Sequence, residues 1–250
     1  MKNAAVRFLS FLFPSLLAVG LPAVSAISGC GVSVEPINVA PGCPDMPLRG
    51  PSEYPPASLN DVIDDFDDGD MMLAKVGGRN GTWVGFATPM TATFFGEASN
   101  KCVANGAYSG HLTANDLDNF GANWNGVFID PFALAVPFDA SSYSGFSFWV
   151  ATGDNAVQPL ELPIGMMTTD TATGGGVCTA TAGGCGDYYA TKQRIPLTHT
   201  WTRWEIKFSD LAQKGTGMPQ VPLRTTQFVS LMIWPERTYD IWIDDVRFER

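Results

Sequence analysis

The chain reads as an all-β protein: a β-sandwich or jelly roll carried behind a signal peptide and a proline-rich tether. Three observations predict it. Short segments alternate apolar and polar residues with period two. Glycine-, asparagine- and threonine-rich stretches such as VGGRNGT and TATGGG separate them. No long amphipathic helix is present to cover a parallel sheet.

Residues 1–29 carry Lys2 and Arg7 and then an apolar run from Phe8 to Ala26, broken by Pro14 and Pro22. That is the layout of an export signal, and the prolines disfavour a membrane span. The segment ends in Ile27-Ser28-Gly29-Cys30, similar to the cleavage box of bacterial lipoproteins. Small residues there admit the signal peptidase, and the Cys30 thiol receives the diacylglycerol. Gly31 follows, where an aspartate would mark inner-membrane retention, so the expected place is the bacterial outer membrane or cell surface. Residues 30–58 are rich in proline and read as an extended tether. Residues 59–250 contain no comparable linker and form one domain, long enough to bury a substantial core.

Within that domain, GFSFWVATG sets Phe146, Phe148 and Val150 against Ser147 and Trp149, and WEIKFSDL sets Trp204, Ile206 and Phe208 against Glu205 and Lys207. FVSLMIW and DIWIDDVRFE are rich in β-branched and aromatic residues, and SDLAQKG has room for one helical turn ended by Gly215. The net charge of −10 becomes about −12 once Lys2 and Arg7 are removed. Such a surface repels nucleic acid, and no basic patch with interleaved aromatics offsets it.

The stretch VIDDFDDGD, Val62–Asp70, places five aspartates in nine residues. A solvated loop, a bound cation, or an acidic strand tied to a distant partner would each make them tolerable. An EF-hand is excluded: a loop starting at Asp64 puts Phe66 third and Lys75 twelfth, where oxygen ligands are required. Read as a strand, the stretch sends Phe66 into the core and Asp65 and Asp67 to the opposite face. In DIWIDDVRFE, Ile241 and Ile243 point inward, Asp244 points out, and Asp245 sits at an irregularity before Val246. Should the first and last strands be neighbours, these carboxylates converge.

Five cysteines leave four once Cys30 takes lipid, and an even number in an oxidising compartment reads as two disulfides. Cys178 and Cys185 bracket the small loop TATAGG, and Cys43 with Cys102 would pin the tether to the domain. Zinc is the lesser alternative, as there is no CxxC pair and only His111 and His199 to assist.

In this order, VIDDFDDGD, GGRNGTW, FDASSYSGFSFWVATG, the VC…CGDYY loop, LTHTWTRWEIKFSDLAQKG and DIWIDDVRFE resemble exported bacterial domains similar to family-eleven carbohydrate-binding modules, over roughly the whole of Leu59–Arg250. The resemblance implies a galactose-binding-like jelly roll and a structural calcium site joining Asp65 and Asp67 to Asp244 and Asp245. Asp67 stands where such modules often place glutamate, which shortens its reach. A hard cation with a flexible oxygen shell suits an irregular strand edge.

Sugar rings stack their C–H faces on flat aromatics while nearby polar groups bond the hydroxyls. Trp83, Trp124, Trp149, Tyr188 and Trp234, with Asp187 as an acceptor beside Tyr188, are the candidate ligand residues. Trp149 stands out because it is out of phase with Phe146 and Phe148. A glycosidase would need two facing carboxylates, yet no alternating E-x-D-x-x-E strand, G-x-S-x-G, H-E-x-x-H or P-loop occurs. The expectation is a non-catalytic, lipid-anchored polysaccharide-binding protein with a calcium-braced edge. A structural or adhesion lipoprotein without sugar, and a hydrolase or lyase on the same scaffold, are the alternatives.

Overall fold

A computed structural model describes residues 42–47, 58–76, 79, 81–86, 93–115, 126–130, 137–156, 159–172, 185–215, 220–233 and 239–250. All belong to one compact unit, Ile37–Arg250. The first half of the unit supplies strands β1 (Val62–Asp64), β2 (Thr82–Phe86), β3 (Thr93–Ser99), β4 (Ser109–Asn115), β5 (Gly126–Asp130), β6 (Gly145–Thr152) and β7 (Leu160–Leu162). The second supplies β8 (Ile164–Thr168), β9 (Tyr189–Thr191), β10 (Ile195–Leu197), β11 (Thr202–Lys207), β12 (Leu211–Ala212), β13 (Phe228–Ile233) and β14 (Tyr239–Glu249).

The strands form two antiparallel sheets, a β-sandwich as the alternation predicts and a jelly roll as the resemblance implies. The first has the order β11-β6-β14-β4-β3 with β1 also on β14, and the second the order β12-β9-β8-β13-β5-β2; β7 and β10 make a small ribbon. The core fills the space between the sheets. Phe146, Phe148, Val150, Leu112, Ile241 and Ile243 of the first meet Ile164, Met166, Leu231 and Ile233 of the second. These are the in-phase residues of their strands, so period-two patterning places them.

The first and last strands are neighbours, with Val62 opposite Arg247 and Asp64 opposite Val246. β14 changes partner along one edge. Tyr239–Ile243 pairs with β4, whereas Val246 and Arg247 pair with β1. At the handover the ladder is interrupted by a bulge, and Asp245 takes φ 49°. The irregularity expected before Val246 is therefore real.

Two local expectations need correction. VIDDFDDGD is a strand only as far as Asp64. Phe66 does enter the core, wholly buried, but from a left-handed turn at φ 58° rather than by strand alternation. Asp64, two residues before Phe66 and so on the same side under that alternation, is buried with it. In SDLAQKG the turn is a 3-10 turn over Phe208–Asp210, after which Leu211–Ala212 returns to strand and Gly215 takes φ +85°.

All eight residues of β6 are buried, which alternation alone does not predict. Its inner face meets the second sheet. Its outer face, with Trp149 and Ala151, joins Trp201, Trp242, Ala104, Cys43 and Cys102 in a second apolar cluster, with Met46 packed against it. The segment around Cys43 closes this face. The expected disulfide joins Cys43 to Cys102. Asp45 adds a short parallel pairing: its N–H donates to the His199 carbonyl at 2.7 Å, and its own carbonyl accepts from Trp201 at 2.9 Å.

Candidate functional site

The acids gather where β14 changes partner. Asp244 is fully buried, and its Oδ2 accepts the N–H groups of Ala104 at 3.0 Å and Asn105 at 2.8 Å. Its Oδ1 is buried with no hydrogen-bond partner among the described residues. Asp67 Oδ1 accepts from two further amides of the same loop, Ala107 at 2.5 Å and Tyr108 at 3.1 Å. Gly106, between them, has φ +75°, and a Cβ there would lie 2.2 Å from the Asp67 carboxylate. One loop thus clamps two carboxylates that are distant in sequence.

Burial pushes the Asp244 carboxyl well above its ordinary range; the two amide donors oppose this, and the nearby Asp67 and Asp65 carboxylates add to it. Asp65 turns its Oδ1 to the Asp67 N–H at 3.3 Å. Asp245 does not join the group, since its carboxylate is paired with Arg247. Asp64 lies beneath, with Oδ1 accepting from Phe66 N–H at 2.8 Å and Oδ2 from the Trp83 indole at 2.6 Å. Its pKa is pushed up to about 8 by burial, which outweighs the pull of those two donors. Among the described residues, no three His, Cys, Asp or Glu side chains close on one point as a finished ligand set. What the clamp holds ready is one unsatisfied, desolvated carboxylate oxygen beside two further acids, the kind of oxygen that a hard cation neutralises.

The candidate ligand residues separate. Trp83 is core: it packs on Phe66 with ring centroids 5.5 Å apart and is spent on Asp64. Trp149 does face away from the main core, as its phase predicts, but it is only 2% exposed beneath the Cys43 segment. Neither presents a ring to an outside guest. Asp187 is buried and closes a loop, accepting from Lys214 N–H at 2.8 Å, Gly215 N–H at 3.0 Å and Gln220 Nε2 at 2.7 Å. Trp124, Trp234, Cys30 and Cys178 lie outside the described residues. Cys185 is disulfide-bonded.

Tyr188 keeps its candidacy. Tyr189 enters the core, so Tyr188 and Ala190 take the outer face of the second sheet, where they meet Met232 and Met167. Tyr188 and Met167 are partly exposed above buried Ala190 and Met232. The two methionines escaped the sequence reading, although LMIW and GMMT each place one out of phase with its core neighbours.

His111 was also missed as a contact residue. It stacks on Trp242 at 3.9 Å and lies 2.8 Å from Asp240 Oδ1. Burial raises the Asp240 pKa, but His111 and the amide groups of Asn155 outweigh it and hold the carboxyl below its ordinary range.

No protein-family model and no curated protein matches the chain. Solved structures do. The family 11 carbohydrate-binding module of cellulosomal cellulase Lic26A-Cel5E of Clostridium thermocellum is 13% identical, with a TM-score of 0.47 over 72% of this chain and 94% of that one. The chain is similar to carbohydrate-binding modules. The CBM22-1 xylan-binding domain of Paenibacillus barcinonensis Xyn10C is 11% identical, with a TM-score of 0.40, 78% of this chain and 97% of that one being covered. The family 30 module of cellulase Cel9D-Cel44B of Clostridium thermocellum is 14% identical, with a TM-score of 0.44 and 66% and 91% covered. Strand pairing, rather than identity at this level, establishes the sandwich.

Proposed function

We propose that this chain is a non-catalytic carbohydrate-binding protein, anchored through a lipid on Cys30 to the bacterial cell envelope, with a structural calcium at the acidic clamp. The observation that carries the binding reading is the asymmetry of the two outer faces. On the first sheet the Cys43 segment covers the outer face at Trp149, Ala151 and Trp242. The second keeps Tyr188 and Met167 partly open on an apolar floor, which suits the C–H face of a pyranose ring. The buried carboxylates Asp64, Asp187 and Asp244 spend oxygens on N–H groups of the fold, which favours bracing over acid–base chemistry.

Affinity electrophoresis against β-glucan, xylan and cellulose tests this reading. Retention on at least one polymer is expected, with Tyr188→Ala weakening it about tenfold, or ~1.4 kcal/mol, and Trp149→Phe leaving it unchanged. A folded protein retained by none of them favours the structural-lipoprotein alternative, and release of reducing sugar favours the enzyme.

At the clamp, Asp244 Oδ1, Asp67 and Asp65 are the side chains that would hold calcium, with backbone carbonyls and water completing the shell. The ion supplies charge neutralisation for acids that burial and mutual repulsion leave costly. At a hundredfold excess over Kd it adds about 2.7 kcal/mol. A melting temperature indifferent to chelator would remove the calcium reading. Lipidation is tested separately by fatty-acid labelling, which is expected to disappear in Cys30→Ser.

A further inference from the structure

The loop joining β3 to β4 has no regular structure of its own, yet it must present four N–H groups accurately: Ala104 and Asn105 to Asp244, Ala107 and Tyr108 to Asp67. Its shape is imposed from its ends. At the far end, the Ser109 hydroxyl donates back to the Cys102 carbonyl at 2.5 Å, folding the two ends together. At the near end, Cys102 is bonded to Cys43, which lies against Trp149, Trp201 and Trp242. The Cys43 side is itself held by the pairing of Asp45 with His199 and Trp201. The disulfide therefore ties the first residue of the clamp loop to the outer face of the first sheet.

We infer that the Cys43–Cys102 disulfide is the positioning element of the acidic clamp: it pre-orders residues 102–108, so that affinity for a divalent cation depends on this covalent tie. The inference rests on the calcium reading above. Without the tie, the loop has to be ordered at the moment of ion binding, and that ordering subtracts from affinity. The disulfide is almost fully buried, 6% exposed at Cys43 and 2% at Cys102, so once formed it is a standing part of the site.

The test uses the full chain carrying Cys43→Ala together with Cys102→Ala, an apolar pair that suits the apolar cluster around it. Calcium titration by calorimetry is expected to show at least tenfold weaker binding than wild type. Amide hydrogen exchange, read without calcium, is expected to quicken at least tenfold at Ala104, Asn105, Ala107 and Tyr108. Amides of Met166 and Leu231 in the second sheet keep their protection. That contrast separates positioning from a general loss of stability. Unchanged affinity with unchanged loop exchange overturns the inference, and so does equal quickening at every amide. If the alanine pair does not fold, Cys43→Val with Cys102→Ala restores volume and is read the same way. A wild type that takes up no calcium refutes the cation reading, while the positioning of the loop still stands or falls on the exchange pattern.

Discussion

Replacing Gly106 by alanine attacks the clamp at a point where two costs can be separated. The residue sits at φ +75°, a region that costs an L-residue roughly 1–2 kcal/mol. Its new Cβ would also lie 2.2 Å from Asp67 Oδ2 and 2.5 Å from Cγ, so the carboxylate must withdraw. Withdrawal gives up the hydrogen bonds from Ala107 and Tyr108. Because Asp67 is exposed, each is worth about 1 kcal/mol, the ordinary net value rather than the roughly 1.5–3 kcal/mol of a charged acceptor. The sum is about 3–4 kcal/mol, which lowers the melting temperature by roughly 6–16 °C in a domain of this size. Gly215→Ala is the control. Gly215 has φ +85° but nothing within 4 Å of the added carbon, so it carries only the conformational cost, a fall of roughly 2–8 °C. Thermal melts followed by circular dichroism compare the two. If both variants melt together, the carboxylate contact contributes nothing and the clamp described here is wrong.

Other perturbations have equally definite signs. In chelator at pH 7, Asp244→Asn is expected to match or exceed wild type, because burial raises the Asp244 pKa and the folded chain bears the cost of ionising it. That cost appears as pH rises from 3.8 towards the raised pKa, so the advantage of asparagine fades in acid; calcium reverses the order at pH 7, and wild type remaining below the variant in saturating calcium contradicts the site. Asp240→Asn behaves oppositely: the folded carboxyl is depressed, so it stabilises above the unfolded pKa, and the deficit of about 1–3 kcal/mol at pH 7 closes as pH falls below 3.8 through the depressed value in urea melts. Arg79, 3% exposed, donates from its two terminal nitrogens to the carbonyls of Asn60 at 2.9 Å and Val62 at 2.6 Å, which fixes the entry to β1. Arg79→Lys cannot span both carbonyls with one ammonium and is expected to lower the urea midpoint by the equivalent of about 2 kcal/mol.

What the sequence disclosed follows from which forces act locally. β6, β11, β13 and β14 were legible because each has one face in the main core, and alternation records that directly. Pairing of β1 with β14 was legible from two acidic segments that needed a common solution. The fate of Trp149 was not, because its phase shows only which face it takes; the cover over that face comes from Cys43 and its neighbours, distant in sequence. Asp64 was overlooked for a related reason. A buried carboxylate is tolerable only with donors, and its donors are a backbone turn at Phe66 and an indole from β2. Asp245 was grouped with Asp244 by adjacency, but the bulge turns it to Arg247.

The placing of β14 bears on how the molecule comes into being. Every other strand of the first sheet precedes it along the chain, yet β14 lies between β6 and β4 and also receives β1. Until those eleven residues have been synthesised, the sheet has a gap at its middle and no strand pairing joins β6 to β4. Folding therefore waits for translation to pass Glu249, and the pairings that then form are of long range and slow. A ribosome-bound chain stopped short of Tyr239 would stay open to chaperones, however much of its length had already emerged.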